Sequence, residues 1–335
     1  MSLAQAMTAA VVETRDGPFR LLEVVRPTPG PGQVLVRVEA SGLNPLDLKI
    51  RAEQAAHARH PLPAVLGLDL AGEVEAVGAG VEGFAVGQGV YGLVGGVGGL
   101  QGAQAQYAAV DARLLARRPT TLTPRDAAAL PLVAITAWEG LVDRARVSAG
   151  QSVLVQGGAG GVGHMAVQIA LAKGAKVYAT ALGQEDLAYL RELGAVAIDG
   201  TQAVADYVEE HTGGAGFEIV YDTGGGALLD ASFQAVRRFG HVVSCLGWGV
   251  HALAPLSFKQ ATYSGVFTLH PLLSGEGRGH FGEILAAIAD LVDRDGLKPR
   301  LHPDRFGLDA LAEAYDALAG GKGKGKVVVD VGPTR

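Results

Sequence analysis

The period of hydrophobic and polar positions changes near Pro124. Before that residue, short alternating or β-branched runs are separated by glycine and proline, which predicts strands joined by tight turns. The runs cover residues 8–14, 19–25, 33–39, 69–77, 88–92 and 104–110. Because no helical crossovers separate them, they predict an antiparallel β-barrel.

After Pro124 an apolar helix is predicted over residues 127–142, and then apolar runs alternate with amphipathic stretches. Short loops between such elements are typical of a doubly wound parallel sheet covered by helices on both faces. The predicted strands are 152–156, 176–181, 196–198, 217–222, 241–246 and 266–269, and the predicted helices are 161–173, 185–193, 202–210 and 227–238. Helices 279–293 and 308–318 and a final strand, 326–331, complete the pattern.

A glycine-rich segment lies between the first strand of this region and its first helix. Gly158, Gly160 and Gly163 have the G-x-G-x-x-G spacing of a dinucleotide site. The first glycine permits a tight turn, the second lets the backbone approach a pyrophosphate, and the third allows close packing of helix and strand. The spacing alone is a weak signal in a chain with 49 glycines, but its strand-to-helix context favours nucleotide binding.

Composition narrows the class of protein. A chain of 335 residues with 48% apolar and 19% charged residues predicts about two globular domains. The net charge of -6 without a basic run argues against nucleic acid as a partner. Residues 127–138 are too short to span a membrane, and the first 15 residues lack the pattern of a secretory signal. We therefore expect a cytoplasmic protein without a membrane partner.

Several motifs, distributed over nearly the whole chain, resemble those of one enzyme superfamily. They are Gly150–Leu154 followed by Gly158–Gly163, Ala40–Asp47, Gly67–Val74 with Asp69 for the commoner Glu, Val86–Val90, Leu130–Val133 and Thr136–Trp138. By these motifs the chain resembles the medium-chain dehydrogenase/reductase superfamily, and within it the zinc-free, quinone-oxidoreductase-like branch.

This resemblance implies an α/β fold with two domains. A GroES-like antiparallel β-barrel catalytic domain would comprise residues 1–125 and 270–335, and a Rossmann dinucleotide-binding domain would comprise residues 126–269. It also implies an active site in the cleft between the domains, and we expect a homodimer.

Zinc chemistry is disfavoured by the residues at the corresponding positions. Zinc alcohol dehydrogenases of this superfamily hold the metal with a Cys, a His and a second Cys. Here Asn44 stands at the first cysteine position, Leu68 stands at the histidine position, and no cysteine lies near Leu132. The only cysteine is Cys245, so a four-cysteine zinc site is also impossible. We therefore expect no zinc.

Two polar residues are candidates for catalysis. The amide of Asn44 could bond the cofactor ribose or a substrate carbonyl, and the alternative is that Asn44 is a turn residue before Pro45. Asp47 could relay a proton with Lys49, or the two could form an ordinary local ion pair. The sequence indicates no general acid, and solvent could protonate the product.

The resemblance places further residues around a nicotinamide cofactor. They are Asn44, Thr136, Gly158, Gly160, Gly161, Val162, Gly163, Thr180, Asp222, Thr223, Leu246, Gly247, Phe267, Thr268 and Lys326. Thr180 ends the second strand, where an NAD-preferring site carries an acid, which leaves room for a 2′-phosphate. However, Asp186 stands where NADPH-preferring relatives carry Lys, and Asp199-Gly200 stands where they carry Tyr. The sequence thus favours NADPH only slightly over NADH.

These features predict a zinc-independent NAD(P)H-dependent oxidoreductase that transfers hydride to a small quinone or α,β-unsaturated carbonyl. Without a metal, little would stabilise an alkoxide, so acceptors that delocalise the developing charge are the better substrates. Two alternatives remain at this stage. One is an enoyl-thioester reductase, and the other is a nucleotide-binding sensor or crystallin-like protein without useful catalysis.

Overall fold

The computed structural model describes residues 5–321 and 324–332. The chain divides into two compact units, one of Met1–Leu132 and Leu269–Arg335 and the other of Val133–Thr268. The sequence predicts the first boundary after residue 125, whereas the structure has it after Leu132. The difference arises because the helix Pro124–Ala128 packs on strands of the first unit.

The first unit begins with strands and short helices. The strands are β1 (Ala6–Val12), β2 (Phe19–Val25), β3 (Gln33–Gly42), β4 (Ala64–Val65), β5 (Asp69–Val77), β6 (Gly89–Leu93), β7 (Tyr107–Asp111) and β8 (Leu115–Arg117), and the α-helices are α1 (Pro45–Arg51) and α2 (Pro124–Ala128). After the second unit, the chain adds α9 (His270–Ser274), α10 (Arg278–Asp295), β15 (Phe306–Gly307), α11 (Leu311–Gly320) and β16 (Val328–Asp330).

The second unit alternates strands and helices. The strands are β9 (Ser152–Gln156), β10 (Lys176–Ala181), β11 (Val196–Asp199), β12 (Phe217–Asp222), β13 (Val236–Ser244) and β14 (Thr262–Gly265). The helices are α3 (Pro131–Trp138), which a π-helix Glu139–Arg144 continues, α4 (Gly161–Ala172), α5 (Gln184–Glu192), α6 (Val204–Thr212), α7 (Ala227–Ala235) and α8 (Ala254–Lys259).

Two sheets organise the first unit. One is a three-stranded sheet in the order β2-β1-β4, and the other is a seven-stranded sheet in the order β15-β16-β3-β5-β6-β8 with β7 on β3. β3 pairs with two strands along the same edge. Its first half pairs with β7, and its last residues pair with β16. Among the described residues, β15 and β8 are the two edge strands of this sheet and are not paired with each other. The closed barrel therefore stays a prediction.

The second unit is built on a six-stranded parallel sheet in the order β11-β10-β9-β12-β13-β14. From β9 the chain proceeds outward through β10 and β11, and it then returns to the other side of β9 for β12, β13 and β14. The strand order therefore reverses between β9 and β12, and such a switch point opens a crevice at the carboxyl ends of the strands. Gln156 and Asp222 face each other in register there.

Continuous apolar runs place the central strands of this sheet in the core. Val153, Leu154 and Val155 of β9 have no exposed surface, and Phe217 and Val220 of β12 are equally buried. Each such side chain contributes about 1.5–3 kcal/mol relative to an exposed position. Burial on both faces holds the carboxyl ends of these strands in fixed positions.

Three predicted elements of this region are wrong in detail. The helix over residues 127–142 is interrupted before Pro131, because proline lacks the N–H of a helix interior. The helix over residues 227–238 ends at Ala235, and β13 begins at the next residue. The sixth strand is β14, a few residues before the predicted one. No helix of the described ranges is long and apolar enough to cross a bilayer.

Candidate functional site

The glycine loop between β9 and α4 divides into packing glycines and exposed glycines. A Cβ atom on Gly163 would lie 2.1 Å from the Gly157 carbonyl oxygen, and one on Gly158 would lie 2.7 Å from the Cβ of Ala179. Both positions are buried, so these glycines let α4 and β10 approach the loop. By contrast, Gly160 is exposed, has φ of -73°, and would bring a Cβ no closer than 3.3 Å to its neighbours.

The start of α4 presents an anion site. The amide of His164 donates to the carbonyl of Gly160, so the amides of Gly161, Val162 and Gly163 precede the first bond of this twelve-residue helix. Unpaired amides and the positive end of the helix dipole favour a phosphate. Because Gly160 and Gly161 are exposed without side chains, a pyrophosphate can approach the backbone, and the loop fits a dinucleotide.

Asp222 and Thr223, both predicted to line the cofactor, hold the neighbouring strand ends together. The Asp222 carboxylate is fully buried and accepts bonds from the amides of Gly224 and Gly225 and from the Ser244 hydroxyl at 2.6 Å. The hydroxyl of Thr223 donates to the carbonyl of Gln156 at 2.7 Å. These contacts fix the loops after β12 and β13 against the end of β9.

Thr180 is buried rather than facing a ligand. Its hydroxyl donates to Oε1 of Gln156 at 2.8 Å and accepts from the amide of Gly157 at 3.0 Å, and the residue is 3% exposed. The amide of Gly158 also donates to the Thr180 carbonyl. Thr180 therefore shapes the glycine loop. Gln156, which connects β9 to β10 through this bond, belongs to none of the sequence motifs.

The remaining predicted cofactor residues of this unit occupy two places. Thr136 and Thr268 lie 3.0 Å apart through their hydroxyls, and Thr268 donates to Glu139 at 2.9 Å, so these threonines join α3 to the segment after β14. Leu246 and Gly247 follow β13, and the amide of Leu246 donates to Ser244. Phe267 is 39% exposed and packs edge-on against the exposed Trp248, with 6.2 Å between the ring centroids. No sequence motif indicates this aromatic pair.

A buried polar network in the first unit contains the other predicted residues. The ammonium of Lys326 donates to the carbonyl of Leu43 at 3.0 Å and to Oδ1 of Asn44 at 2.5 Å, and it lies 3.4 Å from Oδ2 of Asp69. Nδ2 of Asn44 donates to Asp69 at 2.9 Å and to the carbonyl of Gly42 at 3.3 Å. The Asn44 amide is thus oriented by a fixed cation on one side and a carboxylate on the other.

Asp47 belongs to the same network but not through Lys49. It is fully buried, and its Oδ2 accepts from the backbone amide of Asn44 at 2.8 Å, which caps α1, whereas Lys49 is exposed. The local ion pair considered above is therefore absent. Burial raises the pKa of Asp47 to about 7, with the nearby Asp69 adding to the rise and Lys326 opposing it.

The network continues to Tyr315 on α11. Its hydroxyl neighbours Asp47 and accepts a short hydrogen bond from Nε2 of Gln104. Burial, with the Asp47 charge as a smaller cause, raises the pKa of Tyr315 well above its ordinary value. Neither Tyr315 nor Gln104 has a motif of its own, and only the fold brings them to Asp47.

The positions that hold zinc in relatives are occupied by poor ligands. Leu68 is fully buried and has no donor atom, and the Asn44 amide oxygen faces the Lys326 ammonium. Among residues 5–321 and 324–332 no group of three His, Cys, Asp or Glu side chains is arranged to hold a metal ion. A cation beside Asn44 would also be repelled by Lys326.

Comparison with known proteins identifies the family. Residues 30–120 match the family model described as alcohol dehydrogenase GroES-like domain, and residues 161–289 match the model described as zinc-binding dehydrogenase. The solved structure of an alcohol dehydrogenase superfamily protein from Novosphingobium aromaticivorans is 62% identical, covers 97% of this chain and 100% of that one, and gives a TM-score of 0.96.

Two further relatives carry activity names. An NADPH-dependent alkenal/one oxidoreductase of Arabidopsis thaliana chloroplasts is 34% identical over 305 residues, which are 89% of this chain and 72% of that protein. A solved NAD-dependent alcohol dehydrogenase is 31% identical, with a TM-score of 0.83 and coverage of 97% and 100%. The chain therefore belongs to the medium-chain dehydrogenase/reductase superfamily, as its motifs predict, and is an oxidoreductase with a nicotinamide cofactor.

Proposed function

We propose that this protein reduces α,β-unsaturated carbonyl compounds or quinones with a reduced nicotinamide cofactor and without zinc. The observation that carries the proposal is the network that Lys326 and Asp69 form around Asn44, which stands at a position where zinc relatives carry a metal ligand. It is supported by the exposed glycines at the start of α4 and by the alkenal/one oxidoreductase among the relatives.

The substrate class follows from the charge that must be stabilised. When bound, the reduced nicotinamide supplies a hydride. A simple ketone would then become an alkoxide, which needs a Lewis acid or a strong proton donor nearby. An enone that accepts hydride at its β-carbon delocalises the charge over an enolate, and its α-carbon takes a proton from solvent. A quinone delocalises charge similarly. The chain's residues therefore need only orient the reactants and exclude water.

The bonding of Asn44 determines how it can contact a ligand. Both hydrogens of its Nδ2 are directed at protein oxygens, those of Asp69 and Gly42. Its Oδ1 accepts from Lys326 and retains one lone pair. We infer that Asn44 accepts a hydrogen bond from a ligand hydroxyl, such as that of a ribose, rather than donating to a substrate carbonyl.

A turnover screen tests the proposed function. Purified protein would be mixed with NADH or NADPH and with a simple quinone, a linear enone, an enoyl thioester and a saturated ketone, and cofactor oxidation would be followed by absorbance. We expect turnover of the enone or the quinone and none of the saturated ketone. Turnover confined to the enoyl thioester would favour the thioester reductase, and no turnover with any acceptor would favour a nucleotide-binding sensor.

The expected homodimer belongs to this proposal. β14 is the edge strand of the six-stranded sheet, and Tyr263 on it and Phe258 before it are 38% and 79% exposed. An exposed strand edge beside apolar side chains is suited to pairing with a second copy. Light scattering at micromolar concentration would measure the mass, and a monomeric mass would exclude this assembly.

A further inference from the structure

The end of β10 is the place where a fold of this kind contacts the adenosine ribose of a dinucleotide. The glycine loop touches it directly, because the amide of Gly158 donates to the carbonyl of Thr180 at 2.8 Å. The Thr180 hydroxyl is buried, donates its only hydrogen to Gln156 and accepts from the amide of Gly157. Recognition of the ribose, or of a phosphate on it, therefore depends on the loops that surround this strand end.

Carboxylates lie on the helix and the strand next to this strand end. Glu185 and Asp186 lie in the first turn of α5, whose capping residue, Gly183, has no side chain. At a helix N-terminus these acids already compensate the positive end of the dipole, which would otherwise attract a phosphate.

A third carboxylate comes from the neighbouring strand. Asp199 ends β11 in register with Ala181, and the amide of Gly200 donates to the Ala181 carbonyl at 2.9 Å. Bonds from the amide and hydroxyl of Thr201 hold the pKa of Asp199 below its usual value, so this carboxylate is charged at neutral pH.

Basic residues are scarce over the same part of the sequence. From Val177 to Val236 the chain contains ten Asp and Glu residues and a single Arg or Lys, which is Arg191. Arg191 is exposed in the last turn of α5, about 7 Å along the helix axis from Asp186. A 2′-phosphate carries nearly two negative charges at neutral pH, and proteins that bind such a group normally do so with Arg or Lys.

We propose that this acidic rim, composed of Glu185, Asp186 and Asp199, makes the protein select NADH over NADPH. The proposal rests on the nicotinamide-dependent function above and names its cofactor, reversing the slight preference for NADPH that the sequence suggests. Among the relatives, one is named NADPH-dependent and another NAD-dependent, so the shared fold permits either cofactor. We expect Asp186 to contribute most to the choice, because it lies in the first turn of α5, a helix that packs on β10.

Binding rather than turnover provides the test. Dissociation constants for NADH and NADPH would be measured by quenching of protein fluorescence at low salt. We expect NADH to bind about tenfold more tightly, since each nearby carboxylate repels a doubly charged phosphate. Adenosine 2′,5′-bisphosphate should likewise bind more weakly than adenosine 5′-phosphate. The difference should shrink at 0.5 M salt, because screening weakens repulsion between exposed charges.

A matched pair of variants locates the effect. Asp186→Lys should reverse the preference or lower it about tenfold, whereas Glu192→Lys makes the same charge change at the far end of α5 and should leave the ratio within about twofold. Equal or tighter binding of NADPH by the wild type would overturn the proposal, even if a variant failed to fold. Failure to bind either dinucleotide would instead contradict the proposed function itself.

Discussion

At the scale of single residues, Asp47 combines complete burial with an acidic proton that titrates near neutrality. Its pKa of about 7 in the folded protein exceeds the ordinary value of 3.8. The folded state therefore holds a proton that the unfolded chain releases between about pH 4 and pH 7. Over that window stability falls as pH rises, and the contribution of the protonated form is lost above pH 7.

Replacement of this carboxyl group by an amide should remove that loss. Asp47→Asn retains an oxygen that can accept from the Asn44 amide but cannot ionise. We compare the free energy of unfolding of the variant with that of the wild type at two pH values. The difference in favour of the variant should be larger at pH 8 than at pH 4.5, by up to about 3 kcal/mol. Urea unfolding at the two pH values measures it.

The control is available in the same unit. Asp126 occupies the corresponding position of the capping box of α2 and is only half-buried. Asp126→Asn therefore removes a carboxyl group of the same local role and should show no comparable gain at pH 8. Identical pH profiles for wild type and Asp47→Asn would contradict the burial argument.

At the scale of elements, different glycines of the loop between β9 and α4 serve ligand binding and packing. Gly160→Val should preserve the fold and lower the affinity for NADH at least tenfold, since its side chain would occupy the approach of the pyrophosphate. With φ of -73° the backbone itself is not strained by this change. Gly163→Ala should instead destabilise the protein, because its Cβ would overlap the Gly157 carbonyl.

Thermal unfolding and cofactor titration together check this pair. A Gly160→Val protein with a normal melting temperature and unchanged affinity would show that the loop is not the phosphate site. A Gly163→Ala protein as stable as the wild type would show that the helix can move away from the loop at little cost.

Elements with a strong local pattern were predictable from the sequence. β2, β5, β9, β10 and β12 have the predicted bounds because apolar runs and turn residues delimit them on both sides. The predicted helix over residues 227–238 ran into β13, because residues 236–238 continue the helical pattern, whereas in the structure Val236 pairs with Phe217 of β12. Residue propensity does not distinguish helix from strand at these positions, and pairing with the neighbouring strand determines the structure.

Motifs and the family resemblance predicted many residues of the candidate site, including Lys326, but not the contacts among them. Gly158, Gly160 and Gly163 form one motif, and Asn44 and Asp47 form another. The partners of Asn44 and Asp47 are Lys326 and Tyr315, which lie more than 260 residues away in sequence and reach the network through α11 and the segment before β16. Periodicity along a chain carries no information on such distant contacts.

At the scale of the whole molecule, both ends of the chain contribute to one unit, and this closes the polar network around Lys326. The ammonium stands beside the only ligand position that retains a donor atom, that of Asn44, while Leu68 offers none. An ammonium held by protein oxygens and a zinc ion would compete for the same negative surroundings.

Protein purified without a metal-affinity step should therefore contain far less than one zinc per chain by mass spectrometry. Cofactor-dependent reduction of the preferred acceptor should survive dialysis against a chelator, because no step depends on a Lewis acid. A zinc alcohol dehydrogenase treated in parallel should lose its activity and serves as the control. One zinc per chain of this protein, with activity lost on chelation and restored by zinc, would refute the zinc-free mechanism.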